Sequence, residues 1–98
     1  MKSISMSDFY LKQQGGNISV IDVREPNEYQ LGHVPGAINL PVGSLIDTFG
    51  ELDETQSIYV ICQTGQRSQM ATAFLSSLGI DAVNVEGGTS GFPGRLAS

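Results

Sequence analysis

One cysteine and one histidine are all that this 98-residue chain has of the two side chains most used for metal binding and nucleophilic chemistry. A lone thiol closes no internal disulfide and, with a lone imidazole, falls short of a zinc site, so chemistry at sulfur must engage an outside partner. No metal or cofactor motif occurs. Cations are scarce too: five Lys and Arg stand against ten Asp and Glu, a net charge of −5. Nucleic acid and anionic membranes both require a positive footprint, so neither is expected as a partner. No run approaches the roughly eighteen apolar residues of a membrane span, and Met1-Lys2-Ser3 leads toward a helical pattern without the apolar core of a signal peptide. The chain reads as cytoplasmic. Charged residues are 15% and apolar residues 40%, an ordinary globular composition, and the length suits one domain over residues 1–98. A small anionic substrate stays compatible with the negative charge, because a local nest of N–H groups binds an anion whatever distant charges do.

What the chain does have is Ile58-Tyr59-Val60-Ile61, an apolar run that reads as a strand buried on both faces, as in parallel sheets. Cys62 ends it, at the strand edge where open α/β sheets bind ligands. The loop Gln63-Thr64-Gly65-Gln66-Arg67-Ser68 follows, and Ala71, Phe74, Leu75 and Leu78 then recur at helical spacing until Gly79 stops the helix. The helix N-terminus therefore points back at the sulfur. Gly65 lets the loop turn successive N–H groups inward, which favours a thiolate over a thiol. A helix end is worth up to about 2 kcal/mol, roughly one pK unit, and Arg67 adds to it. Cys62 is the candidate nucleophile, and the amides of residues 63–68 are its candidate cradle.

Along the rest of the chain, Ser5 or Ser7 caps a first helix carrying Phe9, Tyr10 and Leu11, which Gly15-Gly16 ends. Ile18 to Val23 reads as a strand. Asp22 places a carboxylate at the edge that carries Cys62, where it either holds Arg67 or a nearby N–H or is a solvated turn residue. Pro26 opens a short helix in which Arg24 and Glu28 are expected to pair. His33, among glycines and a proline, reads as a packed, hydrogen-bonded turn residue and not as a catalytic base. Ala37 to Leu40 is a brief strand, and Pro41 to Phe49 an amphipathic helix with Leu45, Ile46 and Phe49 inward. Glu51, Asp53 and Glu54 form a solvated acidic connector. Asp81 to Val85 reads as a further strand, and Glu86 to Phe92 as a glycine-rich turn beside the same edge. This alternation points to a small doubly wound α/β domain.

The run Cys62-Gln63-Thr64-Gly65-Gln66-Arg67-Ser68 resembles the active-site loop of the rhodanese family of sulfurtransferases. Ile21-Asp22-Val23-Arg24-Glu25 with Glu28-Tyr29, then Gly32 to Asn39, is similar to that family's N-terminal signature, and Val85-Glu86-Gly87-Gly88 to its C-terminal one. The likeness runs from about Ser5 to Phe92, with three motifs in the family's order. It implies a rhodanese-like domain with a mostly parallel central sheet flanked by helices. It also implies a monomer in which Cys62 takes sulfane sulfur from a donor such as thiosulfate and passes it to cyanide or a thiol, or to a protein acceptor. Residues 63–68 would hold the persulfide, and an Asp22–Arg67 ion pair would support the loop. Two departures from the family pattern are Gln63, where many thiosulfate-using members carry a basic residue, and Phe92, near which many have tryptophan. The competing readings are a sulfur carrier without turnover and a cysteine-dependent phosphatase. Four residues separate Cys62 from Arg67, whereas the phosphatases, which resemble this loop, carry one more and so form a wider cradle.

Overall fold

Apolar segments of about four residues, too short for helices, alternate with amphipathic ones along the chain. The computed structural model, which describes residues 1–98, resolves them into β1 (Lys2–Ile4), α1 (Met6–Gly15), β2 (Ser19–Asp22), α2 (Pro26–Leu31), β3 (Ile38–Asn39), α3 (Leu45–Thr48), β4 (Ile58–Ile61), α4 (Gln66–Ser77) and β5 (Ala82–Val85). The five strands form one sheet in the order β1-β5-β4-β2-β3, and every neighbouring pair is parallel. Parallel strands need covered crossovers, so helices must lie on both faces. Side chains of β4 alternate accordingly. Ile58, Val60 and then Cys62 join a core with Leu45 of α3 and Ala71 and Leu75 of α4, while Tyr59 and Ile61 join a second core with Phe9 of α1. Each fully buried Leu, Ile or Phe stabilises the fold by about 1.5–3 kcal/mol. No helix is long and apolar enough to cross a membrane.

Strand order fixes where a ligand can enter. From β2 the chain steps outward to β3, then crosses back to lay β4 on the other side of β2. Connections leave this point in opposite directions and open a crevice at the carboxyl ends of β2 and β4. Asp22 pairs in register with Ile61, so Arg24 and Cys62 are delivered to the same crevice.

Three local expectations change. Lys2–Ile4 is a strand and not a lead-in to helix, because it completes the open edge of β5, with Lys2 opposite Val83 and Ile4 opposite Val85. The segment from Pro41 to Phe49 is broken into a 3-10 turn at Val42–Ser44, the short α3, and another 3-10 turn at Phe49–Glu51. Gly43 and Gly50 weaken a continuous helix. Ser44 Oγ donates to the Pro41 carbonyl at 3.1 Å and Thr48 Oγ1 to that of Ser44 at 3.2 Å, which holds the tighter turns instead. Leu45 is buried by this path, but Ile46 is 66% exposed and does not face the core.

Candidate functional site

The loop after β4 closes on its own sulfur. Gly65 adopts a left-handed φ of 101° as the residue before α4, a conformation glycine tolerates best, and its N–H donates to Cys62 Sγ at 3.1 Å. The N–H of Ser68, in the first turn of α4, donates to Sγ at 3.3 Å, and the Ser68 hydroxyl lies at the same 3.3 Å. Cys62 is 1% exposed. Burial is the largest single influence on its ionisation and opposes it, but the Ser68 hydroxyl and the N–H groups of Ser68, Gly65 and Thr64 together outweigh it and hold the thiol below its ordinary value. Gln66 and Arg67 are the first two residues of α4, where N–H groups have no partner inside the helix.

A second turn braces the loop from the C-terminal side. The N–H and hydroxyl of Thr89 donate to the Cys62 carbonyl at 2.8 and 3.1 Å, and the N–H of Ser90 donates to the Gln63 carbonyl at 3.0 Å. Fixing these carbonyls outward leaves the following N–H groups facing the sulfur. Gly88 makes the approach possible: a Cβ there would stand 2.5 Å from the Cys62 carbonyl oxygen and 2.6 Å from the Gln63 carbonyl.

The ion pairs differ from those expected. Asp22 does not pair with Arg67; its carboxylate takes Arg24, whose Nε lies 3.0 and 3.1 Å from the two oxygens and whose Nη2 lies 2.8 Å from Oδ2. Residues two apart at a strand end point the same way, which puts Arg24 and Asp22 side by side. Arg67 instead grips Glu28 two-pronged, at 2.6 and 2.9 Å, so the expected Arg24–Glu28 pair does not form either. Glu28 is already positioned for this, since its Oε1 reaches back to accept the Glu25 N–H at the start of α2. Its bond to Arg67 draws the Glu28 carboxyl down to about 2 and raises Arg67 in turn. Arg67 and Cys62 influence each other only weakly beside these partners.

Arg24 is the residue that sequence reasoning missed at this site. It is 3% exposed, and beyond Asp22 its Nη2 donates to the Gly32 carbonyl at 2.8 Å and its Nη1 to Gln63 Oε1 at 3.0 Å. It thus ties β2 and the end of α2 to the first residue of the cysteine loop. The period-2 spacing from Asp22 was the available signal. Gln63 and Arg67 are half-buried, Thr64 and Gln66 exposed. His33 is a turn residue: its Nδ1 bonds the Tyr29 carbonyl at 2.9 Å, its ring stacks on Tyr29 at 3.7 Å, and its backbone pairs with Ala97. Beside Gln63 opens a groove of about 540 Å³ whose lining includes Arg24, Glu28, Ser90, Phe92 and Leu96. Cys62 lies under the loop next to it and is not part of the lining. No group of three or more His, Cys, Asp or Glu side chains is close enough to hold a metal ion.

Known proteins are similar to this chain in sequence and in fold. The chain is 36% identical over 80 residues to the Bacillus subtilis protein named "Putative sulfur carrier protein YrkF", a match covering 81% of this chain and 43% of that one. It therefore spans less than half the length of that relative. The crystal structure of SSP1007 from Staphylococcus saprophyticus superposes with a TM-score of 0.91 at 34% identity, covering 100% of both chains. That of a rhodanese-like domain protein from Staphylococcus aureus gives 0.90 at 32%, covering 99% of this chain and 97% of the other. The family model for the rhodanese-like domain matches residues 5–94, and the chain belongs to that family.

Proposed function

We propose that this protein is a sulfurtransferase that carries a sulfane sulfur on Cys62, taking it from a small donor and giving it to cyanide or a thiol, with residues 1–98 acting as one domain. The observation that supports this most is the cradle itself: Sγ, although buried, accepts hydrogen bonds from the N–H groups of Gly65 and Ser68 and lies within hydrogen-bond distance of the Ser68 hydroxyl. Donors aimed at a buried sulfur favour its anion, and the thiolate is the form that attacks another sulfur. With thiosulfate, the Sγ–S bond forms as the donor S–S bond breaks, and the electron pair leaves with sulfite. Sulfite is stable as an anion, so no general acid is required, and His33 is not needed for one. The outer sulfur of the resulting persulfide carries the charge. The partner-free N–H groups of Gln66 and Arg67 are the donors available to it. A second nucleophile then removes this sulfur and restores Cys62.

Steady-state kinetics with thiosulfate and cyanide test the assignment. Parallel double-reciprocal lines and thiocyanate release are expected, because the two half-reactions share only the sulfur-loaded enzyme. Hydrolysis of an aryl phosphate without thiocyanate formation would contradict it. A second reading, a carrier that hands its sulfur to a protein, is favoured by the name of the B. subtilis relative. Fast loading with slow discharge to both cyanide and small thiols would select it.

A further inference from the structure

A second hollow, of about 240 Å³, opens between α3 with its preceding turn and α4, and it shares no lining residue with the groove beside Gln63. All six residues that line it are apolar: Val42, Leu45, Ile46, Met70, Ala71 and Phe74. Leu45 and Ala71 are buried and make its floor, and Phe49 props Phe74 edge-on with ring centres 6.0 Å apart, so the hollow has its shape before anything enters it. Its rim is uncovered. Ile46 from α3 and Met70 from α4 are 66% and 68% exposed, an apolar pair on either side of the opening. The charge next to this pair is of one sign. Asp47 follows Ile46 and Glu51 stands four residues on; both are exposed, and neither belongs to any ion pair of the chain. Residues 42–51 and α4 hold a single cation between them, Arg67, and Glu28 engages it with both oxygens.

We propose that this hollow is a docking surface for a cationic amphipathic helix of a partner protein. The helix places apolar side chains between Ile46 and Met70, and its Lys or Arg side chains meet Asp47 and Glu51. A third helix laid over the seam between two others is an ordinary packing solution, and apolar anchors in a groove are how such helices are held. Charge decides among the possible occupants. A second copy of this chain would bring its own unpaired carboxylates against Asp47 and Glu51, with a net charge of −5 on each molecule, so self-association sets like charges face to face. Anionic lipid surfaces and nucleic acid are repelled on the same ground. A cationic helix is drawn in, because its charges offset carboxylates that nothing in the chain neutralises. The surface also leaves the Cys62 chemistry open. Met70 lies one turn beyond Gln66, the first residue of α4, yet the groove lined by Arg24, Gln63 and Phe92 stays uncovered when the hollow is filled.

The probe is a synthetic peptide of about eighteen residues in which Leu recurs every three or four positions and Lys fills the opposite face. Titrated into the isotope-labelled protein, it should bind saturably and shift the amide resonances of Ile46, Asp47, Met70 and Phe74 while sparing Gln63 and Ser90. The double variant Ile46→Ser, Met70→Gln should weaken binding about tenfold or more, since each change removes apolar surface that the helix covers. Asp47→Asn with Glu51→Gln should weaken it about fivefold and flatten its dependence on salt. All four positions are exposed, so the circular dichroism spectrum and the alkylation rate of Cys62 should stay as in the wild type. A scrambled peptide of the same composition, or one with Glu in place of Lys, should bind far more weakly. Equal binding of either control, shifts that map elsewhere, full affinity in either double variant, or no binding of the Leu and Lys peptide would overturn the proposal. So would a dimer in sedimentation, or binding to vesicles of anionic phospholipid, that Ile46→Ser with Met70→Gln abolishes, because either would assign this face to a different occupant.

Discussion

Burial and hydrogen bonding pull the ionisation of Cys62 in opposite directions, and the N–H and hydroxyl donors prevail. Alkylation rate against pH should therefore give an apparent pKa below the ordinary thiol value of about 8.5. Ser68→Ala keeps the backbone donor and removes the hydroxyl, so it should move the midpoint up by at most about one unit, the worth of one such bond. A wild-type midpoint at or above about 8.5 would contradict this account. Glu28 gives a second titration. Its folded value of about 2 lies below its ordinary 4.5, so the stability it contributes is fully present above about pH 4.5 and is lost as the pH falls toward 2. Both partners of this pair are about one-third exposed, which limits its worth at neutral pH to below about 1 kcal/mol. Urea unfolding of Glu28→Gln at pH 7 and at pH 3 should show a smaller difference than the wild type shows. The Asp22–Arg24 pair behaves otherwise because it is buried. Asp22→Ala strands the Arg24 guanidinium and should cost about 3–5 kcal/mol in denaturant unfolding. It should also slow alkylation of Cys62 in the folded variant, since Arg24 holds Gln63.

At the scale of elements, the site depends on a turn distant in sequence. Gly88→Ala would drive a Cβ into the Cys62 and Gln63 carbonyls at a left-handed φ of 60°, so the brace must open. The expected result is a loss of a few kcal/mol together with a Cys62 midpoint shifted up toward that of an ordinary thiol, because carbonyls freed from Thr89 and Ser90 no longer hold the loop's N–H groups inward. A destabilised variant with an unchanged midpoint would show that the loop shapes itself. Much of this level is legible in the sequence, for physical reasons. The unbroken apolar run Ile58 to Ile61 could only be a strand covered on both faces, and the helical spacing of Ala71 and Leu75 set the inner face of α4. What was not legible depended on partners far along the chain. Lys2–Ile4 becomes a strand only because β5 has a free edge, and the local pattern Arg24 to Glu28 gives no sign that Arg67, across the crevice, takes the carboxylate. Ile46 was misplaced because a 3-10 turn rotates the helix face that a continuous helix would have kept.

For the whole molecule, the order β1-β5-β4-β2-β3 puts the change in winding direction between β2 and β4, and the cysteine loop, Asp22 and Arg24 all leave the sheet there. A parallel sheet with helices on both faces makes this edge the natural place for a ligand, and the single cysteine stands at it. That cysteine also sets the molecule's one chemical limit: with no second thiol, a sulfur loaded on Cys62 has no internal nucleophile to resolve it. Intact-mass measurement after exposure to donor, with acceptor withheld, therefore tests the central claim most directly. The account predicts a folded protein one sulfur atom heavier, returning to its original mass on addition of cyanide, and a Cys62→Ser variant that stays at its own mass throughout. A wild-type protein that never gains sulfur from thiosulfate or from an organic persulfide, or a Cys62→Ser variant that gains it equally, would contradict the account.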